Sequence, residues 1–203
     1  MSQFHIFKHF ITITKHRHRV LKNAMHMGIF FFALHHDLSK FSPQEFFPSA
    51  KYYQGTSSPI YAQRCYENYF SSICQHHVRR NPHHWEYWTD FFNGYLFVKT
   101  MPYKWATEYV CDMLSASMVY AGKSYSPKMT IAYFRLHSPH FYMTEATRKY
   151  IDFCLDEFAK NGWTNLKKKN TLAKYREITS SLPDVEIIRN LHPGDKLPEL
   201  VKD

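Results

Sequence analysis

At 203 residues, with 44% hydrophobic and 18% aromatic content, the chain is long enough for one substantial domain and a short appendage, and apolar enough to fold alone around a real core. Its net charge of +9 favours anionic partners through long-range steering without choosing among a nucleotide, a nucleic acid and a membrane surface. Cys65, Cys74, Cys111 and Cys154 are scattered with no C-x-x-C pair, which suggests neither a disulfide framework nor a cysteine zinc site and fits a reducing compartment.

The first twenty residues, "MSQFHIFKHFITITKHRHRV", are studded with His, Lys and Arg and lack the uninterrupted apolar region of a signal peptide. The longest apolar stretch, "MGIFFFAL", is far short of the roughly 20 residues that cross a bilayer. A soluble cytoplasmic protein with no membrane partner is expected.

Helical periodicity runs through nearly the whole chain. Residues 4–32 place Ile13, Val20, Ala24 and Met27 at steps of three, four and seven, which predicts one long helix facing a core. Pro43 opens a second helix, capped by Ser42 and supported in its first turn by Glu45. After the loop "QGTSSP", Ser58 caps and Pro59 starts a helix with Tyr66, Phe70, Ile73 and His77 on one face. Asn81-Pro82 breaks it, and "HHWEYW" starts another. The run "KTMPYKWATEYVCDMLSASMVYAGKSYSP" is helical between its prolines, and residues 143–160 form an amphipathic helix stopped by Asn161-Gly162. From Trp163 the chain is polar and contains "HPGDK". We expect a helical domain over residues 1–162, then a C-terminal helix and loosely held tail over 163–203. No strand alternation and no internal repeat is found, so the expected class is all-α.

Eleven of the fourteen histidines precede residue 85, and several fall where a helix should bury apolar atoms. His9 and His16 share a face with Ile13 and Val20, although a lone histidine on such a face is ordinarily a satisfied core residue. His36 and Asp37 follow "IFFFAL", His77 falls on the Ile73 face, and His83-His84 lie just beyond. Asp112 is the only charged residue between Glu108 and Lys123, within "YVCDMLSASMVYAG". A buried carboxylate must meet a cation, a dense donor network or a metal. Helical bundles hold divalent metals with imidazole and carboxylate groups from separate helices, and His16, His36, Asp37, His77, His83 or His84, and Asp112 supply such a set without a thiol.

The order of these groups, His16, then "HHDLSK" with His36 and Asp37, then "HHVRRNPHHWEYW", then Asp112 in "CDMLSAS", resembles the HD-domain superfamily of metal-dependent phosphohydrolases, an all-α fold. More narrowly, "KHRHRVLKNA", "HDLSKFSP", "KYYQG", "RNPHHWEYW" and "MPYKWATEYVCDMLSAS" look like an uncharacterised bacterial and phage family related to it, over roughly residues 5–160. The resemblance implies an HD-like helical bundle around a His/Asp metal site. His16, His36, Asp37 and Asp112 would hold a first metal, Asp37 would bridge to a second, and His77 with His83 or His84 would complete that second site. Such donors accept Mn, Fe, Co, Ni or Zn.

The implied chemistry is hydrolysis of a small phosphoester, such as a nucleotide, with Lys40 meeting the substrate's negative charge. Arg79 and Arg80, beside the proposed ligands, would supply guanidinium donors for a phosphate, and Glu86 would act as an acid or base. Trp85, Tyr87 and Trp88 suit either core packing or stacking on a base. Two other classes share these features: a di-iron oxygenase of the HD fold, and a non-enzymatic nucleic-acid-binding protein with a structural metal, the less favoured partner. "AGKSYSP" lacks the preceding glycine and strand of a P-loop.

Overall fold

The computed structural model describes residues 5–190. Helix α1 (Ile6–His26) buries His9, Ile13, His16, Val20, Asn23 and Ala24 along one stripe, the spacing the sequence predicts. The helix stops earlier than expected. Gly28 takes a left-handed backbone (φ 69°), and a Cβ there would lie 2.8 Å from the Cβ of Lys168, so the chain turns at the one residue that fits. The remaining apolar residues form a separate short helix, α2 (Phe30–Ala33).

Helix α3 (Pro43–Tyr52) opens at Pro43 as expected, with Ser42 in the extended conformation of an N-cap but with no side-chain capping bond. In α4 (Pro59–Tyr66) the Ser58 hydroxyl does accept from the Ile60 N–H, at 3.3 Å. The single helix expected from Pro59 to His77 is two. Asn68 and Tyr69 adopt positive φ, and buried Gln63 fastens the break by accepting from the Ser71 hydroxyl (2.6 Å) and the Ile73 N–H (3.2 Å). Tyr66 and Phe70 consequently face solvent, while α5 (Ser72–Val78) buries Ile73 and His77.

No helix follows His83-His84. A single 3-10 turn leads into an antiparallel hairpin of β1 (Thr89–Phe92) and β2 (Tyr95–Lys99), the strands that periodicity alone missed. Their signal was the Asn93-Gly94 pair, both at positive φ, which is the two-residue turn that matches strand twist. Helix α6 (Tyr103–Ala121) then runs from Pro102 to Gly122. Helix α7 (Pro127–His137), which the sequence reading did not resolve, precedes α8 (Glu145–Asn161), capped by the Thr144 hydroxyl and ended at Gly162. Helix α9 (Lys168–Ser180) leads to β3 (Val185–Asn190), which pairs antiparallel with β2. The expected all-α class stands, with this small three-stranded sheet added.

Helix α6 is the axis of the fold. It packs along α1 and against α7 and α8, burying Ala106, Val110 and Leu114 with Val20, Ala24, Met27, Phe134, Ile151 and Leu155. A buried bond from the Asn23 amide to the Ser115 hydroxyl (2.9 Å) fixes the register of α1 against α6, and therefore of every histidine and carboxylate they carry. The boundary expected at residue 162 is no gap in packing: Leu166, Thr171 and Ile178 are buried, and the Tyr175 hydroxyl donates to the Met101 carbonyl at 2.8 Å. The "HPGDK" tail lies outside the described residues. All four cysteines are free thiols.

Candidate metal centre

Five segments converge beside the α1–α6 seam. His36 and Asp37 come first because their local backbone is unusual. Neighbouring side chains on a helix diverge by about 100°, yet Asp37 adopts a left-handed conformation (φ 54°) that an aspartate tolerates, and so turns back beside His36. Arg17 clamps the turn, donating to the carbonyls of Leu34 (2.5 Å) and His36 (3.3 Å). Both side chains are buried, at 1% exposure.

The two carboxylate oxygens of Asp37 face different partners. Oδ2 lies 3.1 Å from His36 Nε2 and 3.4 Å from His16 Nε2, and His16 Nε2 lies 2.9 Å from Oδ1 of Asp112. Oδ1 lies 3.3 Å from His77 Nε2 and 3.6 Å from His83 Nε2, while His77 and His84 approach through their Nε2 atoms at 2.8 Å. Donors about 2.1 Å from a common ion stand about 3.4 Å apart in a tetrahedral arrangement. Two overlapping four-residue groups therefore could hold metal, His16, His36, Asp37 and Asp112 on one side and Asp37, His77, His83 and His84 on the other, and a third, smaller group of His36, His83 and Glu108 lies between them. All seven residues expected as ligands are brought together, and both members of the His83-His84 pair reach the second group.

Behind the imidazoles stand two carboxylates that the sequence reading did not assign to the site. Glu108 Oε1 accepts from His36 Nδ1 at 2.8 Å and lies 3.4 Å from His83 Nδ1; Glu45 Oε2 accepts from His77 Nδ1 at 3.0 Å, and its Oε1 from His76 Nδ1 at 2.7 Å. A proton held on Nδ1 leaves the Nε2 lone pair facing inward. The signal for Glu108 was its place one turn before Asp112 on the same helix; Glu45 had been read as first-turn support.

Burial would raise the Asp37 carboxyl, but His36 and Lys40 outweigh it and hold it well below the usual carboxylate range; His16 and His36 do the same for Asp112. Burial would likewise lower His36, yet Asp37 and Glu108 raise its pKa to about 10. Burial, with His84 and His36 nearby, pushes His83 well below its ordinary value, and burial with His77 lowers His84 to about 3. Asp37 Oδ1, His83 Nε2 and Glu108 Oε2 are buried with no hydrogen-bond partner. Unmade bonds on buried polar atoms are costly, so such a cluster fits a cation.

A cavity of about 890 Å³ opens onto the cluster, reaching His16, His77, His84 and Asp112. Lys40 lines it with its ammonium 2.5 Å from Asp37 Oδ2, so its first partner is the candidate ligand itself. Glu86 lines it too, its carboxyl raised to about 7 by burial and its Oε2 unpartnered. Arg79 and Arg80 are exposed at the end of α5 and do not line the cavity; Arg64 from α4 does. Trp85 stacks on Phe141 with ring centres 5.4 Å apart at the cavity wall, Trp88 donates to the Pro82 carbonyl, and Tyr87 is exposed. His9 is buried as an apolar-face histidine should be, but neither ring nitrogen has a partner, and burial, with Lys40 nearby, lowers its pKa to about 4.

A family model, described as a family of unknown function (DUF5662), matches residues 5–157. The chain belongs to this family. The matched span contains every residue of the two candidate metal groups, together with Lys40, Glu45, Glu86 and Glu108. No curated protein and no solved structure matches the chain. Among the described residues no helix is long and apolar enough to cross a membrane.

Proposed function

We propose that this DUF5662 member is a metal-dependent phosphohydrolase of the HD-domain kind, acting on a nucleotide or related small phosphoester. The observation that carries the reading is Asp37, a buried carboxylate whose two oxygens each face a separate set of imidazoles, with His16 from one set and His77 from the other lining a cavity. One or two divalent transition metals held by His16, His36, Asp37, Asp112, His77, His83 and His84 would supply Lewis acidity and a water of lowered pKa. Lys40 and Arg64 provide positive charge for a phosphoryl group, and Lys40 exchanges its contact with Asp37 for one with substrate. Glu86, with one oxygen free, exchanges a proton with the leaving oxygen. The aromatic wall around Trp85 excludes water and suits a planar group.

Lys40 and Arg64, which stand in the lining beside the carboxylates of Glu45, Glu86 and Asp112, favour a phosphate over the polyol of a di-iron oxygenase, which would use the same ligands. Elemental analysis of protein purified without chelator, followed by phosphate release from nucleoside mono-, di- and triphosphates, tests the reading. Bound metal with turnover that a chelator abolishes is expected. Iron with oxygen uptake on a diol would replace the reading by the oxygenase, and strongly salt-dependent nucleic-acid binding indifferent to loss of the ligands would replace it by a binding protein.

A further inference from the structure

The two candidate metal groups share Asp37 in front, and a second carboxylate connects them from behind. Glu108 Oε1 lies 2.8 Å from Nδ1 of His36, a member of one group, and 3.4 Å from Nδ1 of His83, a member of the other. The two rings lie close and tilted, with centres 4.4 Å apart and planes 36° from parallel. Glu45 differs, because the only candidate ligand it backs is His77. Glu108 also sits one turn before Asp112 on α6, so a single helix supplies a direct donor to one group and the backing for both.

We propose that Glu108 is a positioning residue common to both metal sites, orienting His36 and His83 together and making the two sites respond as a unit. The inference rests on the two-site metal reading. The bond from His36 Nδ1 and the 3.4 Å approach of His83 Nδ1 to one carboxylate oxygen favour in both rings the tautomer that turns Nε2 inward, and the negative charge makes both imidazoles better donors. Because its Oε2 is buried without a partner, the residue gains little from its surroundings beyond the bond to His36 and the 3.4 Å approach to His83. A purely structural carboxylate would be expected to use both oxygens.

The test is a titration of the chelator-treated full chain with Co²⁺ alone, followed by calorimetry and by the visible absorption of the bound ion. The parent is expected to bind two ions. Glu108→Gln keeps the shape and removes the charge, and should retain two ions while weakening both by about 10-fold to 100-fold. Glu45→Gln should weaken one ion only, and Glu108→Asp should recover part of the loss. The thermal midpoint without metal should be unchanged or higher in Glu108→Gln; a drop matching the loss of affinity would mean a structural role and overturn the proposal. Loss of one ion outright would make Glu108 a ligand, in the His36, His83 and Glu108 group that the structure also contains, and overturn it as well. Weakening of only one ion, or of none, refutes the common role while leaving the metal reading intact. A parent that binds no ion, or a single one, removes the two-site reading itself and the inference with it.

Discussion

On the proposed reading, Asp112 would hold the metal and Lys40 would act on the substrate, so variants at the two positions separate the roles. Asp112 Oδ1 stands 2.9 Å from His16 Nε2, and asparagine can occupy the same space and still accept that bond, but without charge. Asp112→Asn should therefore lower metal content and turnover together, with a thermal midpoint in chelator equal to or above that of the parent. Full metal occupancy in the variant would exclude coordination by Asp112. Lys40→Met keeps the apolar stem and removes the ammonium. Metal stoichiometry should hold, because an ammonium is no ligand, while kcat/KM on a phosphate substrate should fall roughly 10-fold to 1,000-fold, about 1.4 to 4 kcal/mol of transition-state stabilisation. Unchanged turnover would leave Lys40 only as the counter-charge of Asp37. The candidate ligands were legible in the sequence because charge and imidazole stand out against apolar helix faces. Glu45 and Glu108 were not, since a glutamate near a helix start reads as surface until tertiary packing buries it. Arg79 and Arg80 stay exposed and off the cavity lining for the converse reason: nearness in sequence to His77 does not turn a side chain inward at a helix end.

Element boundaries were legible wherever local chemistry alone sets them. Pro43, Ser58-Pro59 and Asn161-Gly162 mark ends by capping and by φ, without tertiary help. Gly28 was passed over because the apolar pattern runs on through it, and a single glycine within a periodic run is a weak stop signal. What decides the break is remote: the close approach of Lys168 at the start of α9. That break turns α2 back and brings His36-Asp37 under α1. Gly28→Ala should cost about 1–2 kcal/mol from the left-handed backbone alone, and more from the contact with Lys168, so the thermal midpoint should fall by at least about 2 °C. An unchanged midpoint would mean that the turn relaxes freely. The hairpin was missed for another reason: β1 is largely exposed and β2 largely buried, so neither alternates cleanly, and the Asn-Gly turn was the only local clue.

Across the whole molecule, the sequence suggests a short C-terminal appendage, a helix with a loosely held tail, because the stretch from Trp163 is polar and rich in lysine. Its few apolar residues prove decisive. Leu166 and Ile178 join the core formed by α1, α6 and α8, the Tyr103 hydroxyl meets Thr171 at 2.8 Å, and β3 covers one edge of β2. Burial of each such aliphatic side chain contributes about 1.5–3 kcal/mol. Removing α9 and β3 would also open Tyr150, Met101 and the β2 edge to water, a total comparable with the roughly 5–15 kcal/mol that holds a domain together. A chain ended at residue 162 should therefore lack a cooperative thermal transition and lose bound metal, although it keeps all seven candidate ligands. The candidate metal cluster depends on the α1–α6 register, and that register depends on the core that α9 completes. A cooperative melt with full metal content in the shortened chain would show instead that residues 5–162 carry the site unaided.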